Sequence, residues 1–332
     1  MKNYDSYFIH EGIKLNNELV NKLTHFLSTA RPDELFHIDL YELADGLRFN
    51  RNEMLSAASI ALHNGLFKLE WEYHCPFCGG VSKESLSLHD ASSHDYCGNC
   101  KVEFNNQLDQ NIEVFFSIHP GVKKIPNKYY DIYKKKIVLD LKQNKKHNWH
   151  RETTITGADV VQNSVYRELM GDEILLHDQS LEMLRTTILF TDIKGSTQMY
   201  TSLGDSKAFN NVRGHFRILF KLIEKYDGVP VKTIGDAVMG SFSNEQKALT
   251  AALEIQKNLI EYYADKSDDE KIEIKIGLHT GSTLLVTLND RLDYFGTTVN
   301  MAARIQGIAK PNDVVCSEVV FENEENKKII GQ

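Results

Sequence analysis

At 332 residues, with 42% hydrophobic and 25% charged content, the chain has the composition of an ordinary globular protein and the length for two or three domains with full cores. No apolar run approaches the roughly eighteen residues of a spanning helix; Met1-Lys2-Asn3-Tyr4-Asp5 lacks a leader's apolar stretch, so no membrane partner and a cytoplasmic location are expected. A net charge of −8 argues against general polyanion binding, so any anionic ligand must find local Lys, Arg or metal.

Residues 1–73 read as a helical, winged-helix-like unit. Asn16 to Leu27 is amphipathic, and Leu40 to Leu47 makes a short second helix. Asn50 with Glu53 is a capping-box pattern that opens a third helix, running to His63 and stopped by Asn64-Gly65. Leu66 to Tyr73 then alternates as a strand. The third helix offers Arg48 and Arg51 near its start and almost no other cation. Phosphate contacts dominate DNA affinity, so a scaffolding or partner-binding role is expected in place of nucleic-acid binding.

Residues 74–104 carry four of the five cysteines, as Cys75-Pro76-Phe77-Cys78 and Cys97-Gly98-Asn99-Cys100. Two such knuckles with eighteen residues between them match a zinc ribbon, because each turns both sulfurs toward one tetrahedral ion. Two disulfides or buried free thiols are the alternatives. His74, His89 and His94 lie near enough to replace a ligand, but four thiolates need no substitute. A fully ligated ion is structural, having no open position for chemistry. Cys316, in Val314-Val315-Cys316, reads as a small apolar residue on a buried strand.

Residues 105–156 read as a small β-rich, lysine-rich region with strands at Ile112 to Ile118 and Lys136 to Leu141. Lys123, Lys124, Lys128, Lys134, Lys135, Lys136, Lys142, Lys145 and Lys146 make it the most basic stretch, either a solvated surface or a site for an anion. Residues 157–183 read as a helix, Gly157 to Met170, and a linker.

From residue 184 to 332 the pattern is strand (Thr186 to Ile193), helix (Ser206 to Tyr226), strands (Val229 to Asp236, Ala237 to Phe242), helix (Asn244 to Ala264), strands (Ile272 to His279, Ser282 to Leu288), helix (Thr298 to Ile308) and strand (Asp313 to Val319). Asp227-Gly228 makes the turn into the paired strands. The order β-α-β-β-α-β is the ferredoxin-like motif, so the fold class is α+β.

Three segments of this region carry its chemistry. Ile188-Leu189-Phe190 ends in Thr191-Asp192-Ile193-Lys194-Gly195-Ser196-Thr197, and Val231-Lys232-Thr233-Ile234 ends in Gly235-Asp236, so each run sets a carboxylate at a strand end beside a glycine. The third, Asp293-Tyr294-Phe295-Gly296-Thr297-Thr298-Val299-Asn300-Met301-Ala302-Ala303-Arg304, places a carboxylate, an amide and a guanidinium around a helix start. Together these segments resemble the class III nucleotidyl cyclases over roughly Leu184 to Phe321, with all six key positions filled. Tyr166-Arg167-Glu168-Leu169-Met170 after a zinc-bearing region resembles, more weakly, the N-terminal part of a bacterial subgroup of these enzymes.

The resemblance implies an adenylate cyclase that converts ATP to 3′,5′-cyclic AMP and pyrophosphate. Asp192, Asp236 and the Ile193 carbonyl are then the ligands of two Mg²⁺ or Mn²⁺ ions, and Gly195, Ser196 and Thr197 open a turn toward the phosphates. Lys232 with Asp293 supplies a donor and an acceptor, which suits adenine N1 and N6. Asn300 and Arg304, one helical turn apart, orient the ribose and stabilise phosphate charge. The family's head-to-tail homodimer would draw the two aspartates from one chain and Asn300 with Arg304 from the other. The family usually continues past Val314 to Val319 with a final hairpin bearing a basic residue for the triphosphate, whereas this sequence stops at Gln332; Lys327 and Lys328 are the candidate substitutes, and absence of that contact is the alternative. A cyclase of GTP or a pyrimidine nucleotide, or a nucleotide-sensing module without turnover, is the alternative.

Overall fold

The computed structural model describes residues 4–267 and 270–331; Met1, Lys2 and Asn3, part of the stretch on which the leader expectation rests, lie outside the described residues. The chain divides into two compact units, 1–183 with 286–291, and 184–285 with 292–332.

The first unit opens with three helices. The Asn16 side chain accepts from the Glu18 amide to start α1 (Asn17–Thr29), which buries Leu19, Leu23 and Leu27 at four-residue spacing. Asp39 caps α2 (Leu40–Leu47) through the Glu42 amide. Asn50 accepts from the Asn52 and Glu53 amides at the head of α3 (Arg51–His63). Behind them lies an antiparallel sheet in the order β2-β1-β5, with β1 at Phe67–His74, β2 at Val81–Ser85 and β5 at Ile112–Ile118. Every residue of β5 is buried, and Trp71 of β1 is fully enclosed. Strands β3 (His94–Cys97) and β4 (Val102–Asn105) form a separate hairpin beside the second knuckle.

Three expectations for this half are corrected. Lys136 to Leu141 is not a strand but the end of a helix, α4 (Lys128–Lys142). Tyr130, Tyr133, Ile137 and Leu141 recur at helical spacing and are its inward residues, while the apolar run Ile137-Val138-Leu139 resembles a strand only locally. Residues 105–156 therefore give β5 to the sheet of β1 instead of building a small sheet of their own. The helix over Gly157 to Met170 is two helices, α5 (Gly157–Val161) and α6 (Ser164–Leu169), because Asn163 leaves the helix to cap Tyr166.

The second unit is built on one sheet. Its strands are β6 (Leu181–Ile193), β7 (Val229–Ile234), β8 (Ala237–Phe242), β9 (Ile274–Leu288), β10 (Arg291–Phe295) and β11 (Val314–Cys316), in the order β10-β9-β6-β8-β7 with β11 parallel to β9. The subset β9-β6-β8-β7 is the ferredoxin-like order, with α8 (Asp205–Lys225) and α9 (Glu245–Tyr263) as crossovers. Both helices bury apolar stripes, Leu219 and Ile223 from one and Ala252 and Ile255 from the other, in a core with Leu189, Val238 and Ile276 of the sheet.

Four boundaries differ from expectation. Strand β6 begins at Leu181, inside the expected linker, and a short helix, α7 (Ser196–Leu203), precedes α8. The two strands expected on either side of Gly281 are one continuous β9. Asp313 to Val319 is the short β11 followed by α11 (Glu318–Phe321), after which come only α12 (Glu324–Ile330) and the end of the described residues.

Candidate active site and metal centre

Asp192 is the penultimate residue of β6, between the buried Thr191 and Ile193. Gly235 and Asp236 form the two-residue turn of the β7–β8 hairpin, in which Ile234 faces Ala237. Gly235 takes φ +62°, the left-handed conformation that such a turn asks of its first residue. Burial, then the charge of Asp236, raises the Asp192 pKa above the usual carboxylate value. Oδ2 of Asp236 is buried without a hydrogen-bond partner among the described residues. Two converging carboxylates, one with an orphaned oxygen, suit hard cations that accept oxygen ligands, and this donor set fits a divalent metal.

Gly195, at φ +65°, turns the chain from β6 into α7. Its carbonyl accepts from the Gln198 and Met199 amides, so the amides of Ser196 and Thr197 are the first-turn donors that an α-helix leaves without intrahelical partners.

Lys232 on β7 and Asp293 on β10 form an ion pair. These strands are opposite ends of the sheet path, and four spacings of roughly 4.8 Å would set the edges of a flat sheet about 19 Å apart. The pair therefore requires the sheet to curl, bringing its edges within reach of one lysine. Asp293 is 6% exposed and also accepts from the Tyr294 amide at 2.8 Å.

Helix α10 (Thr297–Ile308) carries Asn300 and Arg304. It lies against β9 at two glycines: a Cβ on Gly277 would stand 2.2 Å from the Gln306 amide nitrogen, and one on Gly281 2.6 Å from Thr298 Oγ1. Four strand residues advance about 13 Å and eight helical residues about 12 Å, so both contacts hold at once. Asn300 and Arg304 are exposed, and neither side chain has a partner among the described residues. Lys327 and Lys328 lie on α12, paired at 2.8 and 2.7 Å with Glu324 and Glu325.

Sequence reasoning missed three neighbours of the carboxylates. Lys275 on β9 and Gln306 on α10 both act on Asp192 to lower its pKa against the larger opposing effects. His215 on α8 is fully buried, and burial pushes its pKa down to about 4 although Asp236 opposes the shift. Lys275 alternates with buried Ile274 and Ile276, a signal visible in sequence; the other two depend on packing.

The second candidate centre is in the N-terminal unit. The sulfurs of Cys75, Cys78, Cys97 and Cys100 all lie within 4.8 Å of one another, and none is in a disulfide. Cys75 and Cys100 are 3.9 Å apart and Cys78 and Cys97 3.7 Å. A tetrahedron with metal–sulfur bonds of about 2.3 Å has edges of about 3.8 Å, so the spacing is compatible with zinc. Phe104 and Val102 pack over the sulfurs. His74 stays outside the cluster, its Nδ1 3.2 Å from the Gly79 carbonyl.

Residues 179–329 match the model of the adenylate and guanylate cyclase catalytic domain, and residues 1–183 that of a family of unknown function (DUF5939). Among curated proteins, the chain is 28% identical over 171 residues to receptor-type adenylate cyclase A of Leishmania donovani, covering 41% of this chain and 12% of that protein. It is 31% identical over 144 residues to the receptor-type guanylate cyclase gcy-8 of Caenorhabditis elegans, covering 40% and 12%. An adenylate cyclase of Anabaena cylindrica is 32% identical over 158 residues, covering 42% and 30%. The chain thus spans less than a third of each of these relatives. Solved structures with similarity include a rhodopsin-guanylyl cyclase core of converted specificity in complex with ATPαS, at 24% identity, 44% and 83% coverage and TM-score 0.40. The adenylyl cyclase CyaB from P. aeruginosa gives 21%, 46% and 84%, and 0.40.

Proposed function

We propose, for a chain that belongs to the class III nucleotidyl cyclases through residues 179–329 and to a second family, of unknown function, through residues 1–183, that it converts ATP to 3′,5′-cyclic AMP and pyrophosphate. The observation that carries this reading is the orphaned, buried Oδ2 of Asp236 in a site where the Asp192 carboxyl already feels its charge. Asp192, Asp236 and the Ile193 carbonyl would hold two Mg²⁺ or Mn²⁺ ions. When bound, such a pair activates the ribose 3′-oxygen and offsets charge on the leaving pyrophosphate.

The remaining roles belong to the chain's own groups. Lys232 donates to adenine N1 while Asp293 accepts from N6, and guanine would present the reverse edge. Amides of Ser196 and Thr197, exposed by the turn at Gly195, donate to phosphate oxygens. Asn300 orients the ribose, and the fixed fork of Arg304 stabilises charge developing at the α-phosphate. Their exposure and lack of partners support a homodimer in which they complete the site of a second copy. The four cysteines hold a structural zinc ion.

Incubating the purified protein with ATP, GTP, CTP and UTP, each with Mg²⁺ or Mn²⁺, and identifying cyclic products by mass tests the reading. Cyclic AMP as the main product is expected. A preference for cyclic GMP would contradict the base assignment, and no cyclic product from any nucleotide would leave a nucleotide-sensing module.

A further inference from the structure

The N-terminal unit contains a cavity of about 330 Å³ between α4, β5 and the segment around Trp149. This volume is at the lower end of the range for small-molecule sites. Its walls are largely aromatic, with Phe115, Tyr133 and Trp149 among them, and the carboxylate of Glu113 lies on the inner wall at 3% residue exposure. A carboxylate in such surroundings is costly unless a cation meets it with good hydrogen bonds.

The contacts available to Glu113 are loose. Arg151 reaches it from the rim with a single Nη2 contact of 3.4 Å, and the arginine side chain remains 53% exposed. A docked guanidinium normally offers a carboxylate two shorter parallel bonds. Nε2 of His74 stands 3.3 Å from the other oxygen without making a hydrogen bond. Behind them is a second buried carboxylate, Glu72, which receives a bond of 2.5 Å from the Tyr133 hydroxyl. His37, also on the lining, is held in the left-handed conformation at φ +49°, stacked at 3.9 Å by Phe36 and by Phe115. Both its ring nitrogens are buried, and Nε2 stands 3.7 Å from the Glu70 carboxylate.

We propose that this cavity binds a small planar organic cation, an amidinium or guanidinium, which takes the place of Arg151 against Glu113 and lies among the rings of Phe115, Tyr133 and Trp149. Aromatic faces attract a desolvated cation, and the buried carboxylate gives the planar N–H pair its direction. The rim groups Asp33, Lys136 and Arg151 bring one negative and two positive charges, so the selectivity for a cation comes from the interior and not from the mouth.

Calorimetric titration of the full chain with benzamidine, its neutral isostere benzamide, and benzoate tests this. Saturable 1:1 binding of benzamidine is expected, with benzamide and benzoate weaker by at least about tenfold. Glu113→Gln should lose at least that factor, and Arg151→Ala, which removes the competing fork, should bind benzamidine more tightly. Thermal melts establish that each variant folds; if Glu113→Gln does not, Arg151→Ala decides alone. Absence of saturable uptake in both the wild type and Arg151→Ala, equal binding of benzamide, or unchanged affinity in folded Glu113→Gln would overturn the proposal.

Discussion

Asp192 and Asp236 lie at a strand end and a hairpin turn, so truncating either removes a repelling charge and not a core contact. Asp192→Ala or Asp236→Ala should reduce cyclic AMP formation below a few per cent with the melting temperature unchanged or raised. Retention of substantial activity by either variant would contradict the metal assignment. Glu72 gives a second, independent prediction. Burial pushes its pKa from 4.5 up to about 8, and the charges of Glu113, Glu84 and Glu70 add to the shift, while the Tyr133 bond opposes it. A carboxyl with a raised folded pKa stabilises fully below the unfolded pKa, and that stability is lost as pH rises through the folded one. The N-terminal unit should therefore lose stability from pH 4.5 to 8 through this group. Glu72→Gln should melt higher than wild type by about 4 °C or more above pH 8, and the two curves should converge toward pH 4.5. Parallel melting curves across this range would contradict it. The candidate site residues of the catalytic unit were legible because polar groups stand out against apolar runs at strand ends. Glu72 and Glu113 were not, since alternation in β1 and β5 gives no sign that both faces of these strands are covered.

Helix α10 owes its seat to Gly277 and Gly281, and a side chain at the first would meet backbone. Gly277→Ala should lower stability by about 1–3 kcal/mol and reduce activity by moving Asn300 and Arg304, whereas substitution at the solvent-facing Gly307, with open space around it, should spare the placement of α10. Measured kcat against melting temperature for the two variants distinguishes these outcomes. In sequence Gly281 reads as a break between two strands; the structure uses it as a close approach within one, a distinction that only the partner helix makes. For the zinc ribbon, chelation should unfold the β3–β4 hairpin and the knuckles, because a structural site contributes roughly 10 to 16 kcal/mol of apparent binding energy. Elemental analysis finding no zinc in freshly purified protein would count against it. The knuckles were readable from spacing alone, while α4 was misread because Ile137-Val138-Leu139 is an apolar run that mimics a strand over a few positions, although Val138 and Leu139 are exposed on the helix.

Across the whole molecule, the βαββαβ order was readable because each element carries its own period and the connections are short. The additional strands were harder to see. β10 is a five-residue edge strand with too few repeats to register, and β11, expected over Asp313 to Val319, is only three residues long. The curl that joins Lys232 to Asp293 likewise follows from strand order, which no single segment contains. Assembly is the remaining step, since Asn300 and Arg304 face outward from the unit that contains Asp192 and Asp236. If the site forms between copies, mixing inactive Asp192→Ala protein with inactive Arg304→Ala protein should restore cyclic AMP synthesis. About half of randomly exchanged dimers are mixed, and each has one intact site of two, so recovery should approach about a quarter of wild-type activity. No recovery after subunit exchange has been verified independently would contradict a catalytic site shared between two copies of the chain.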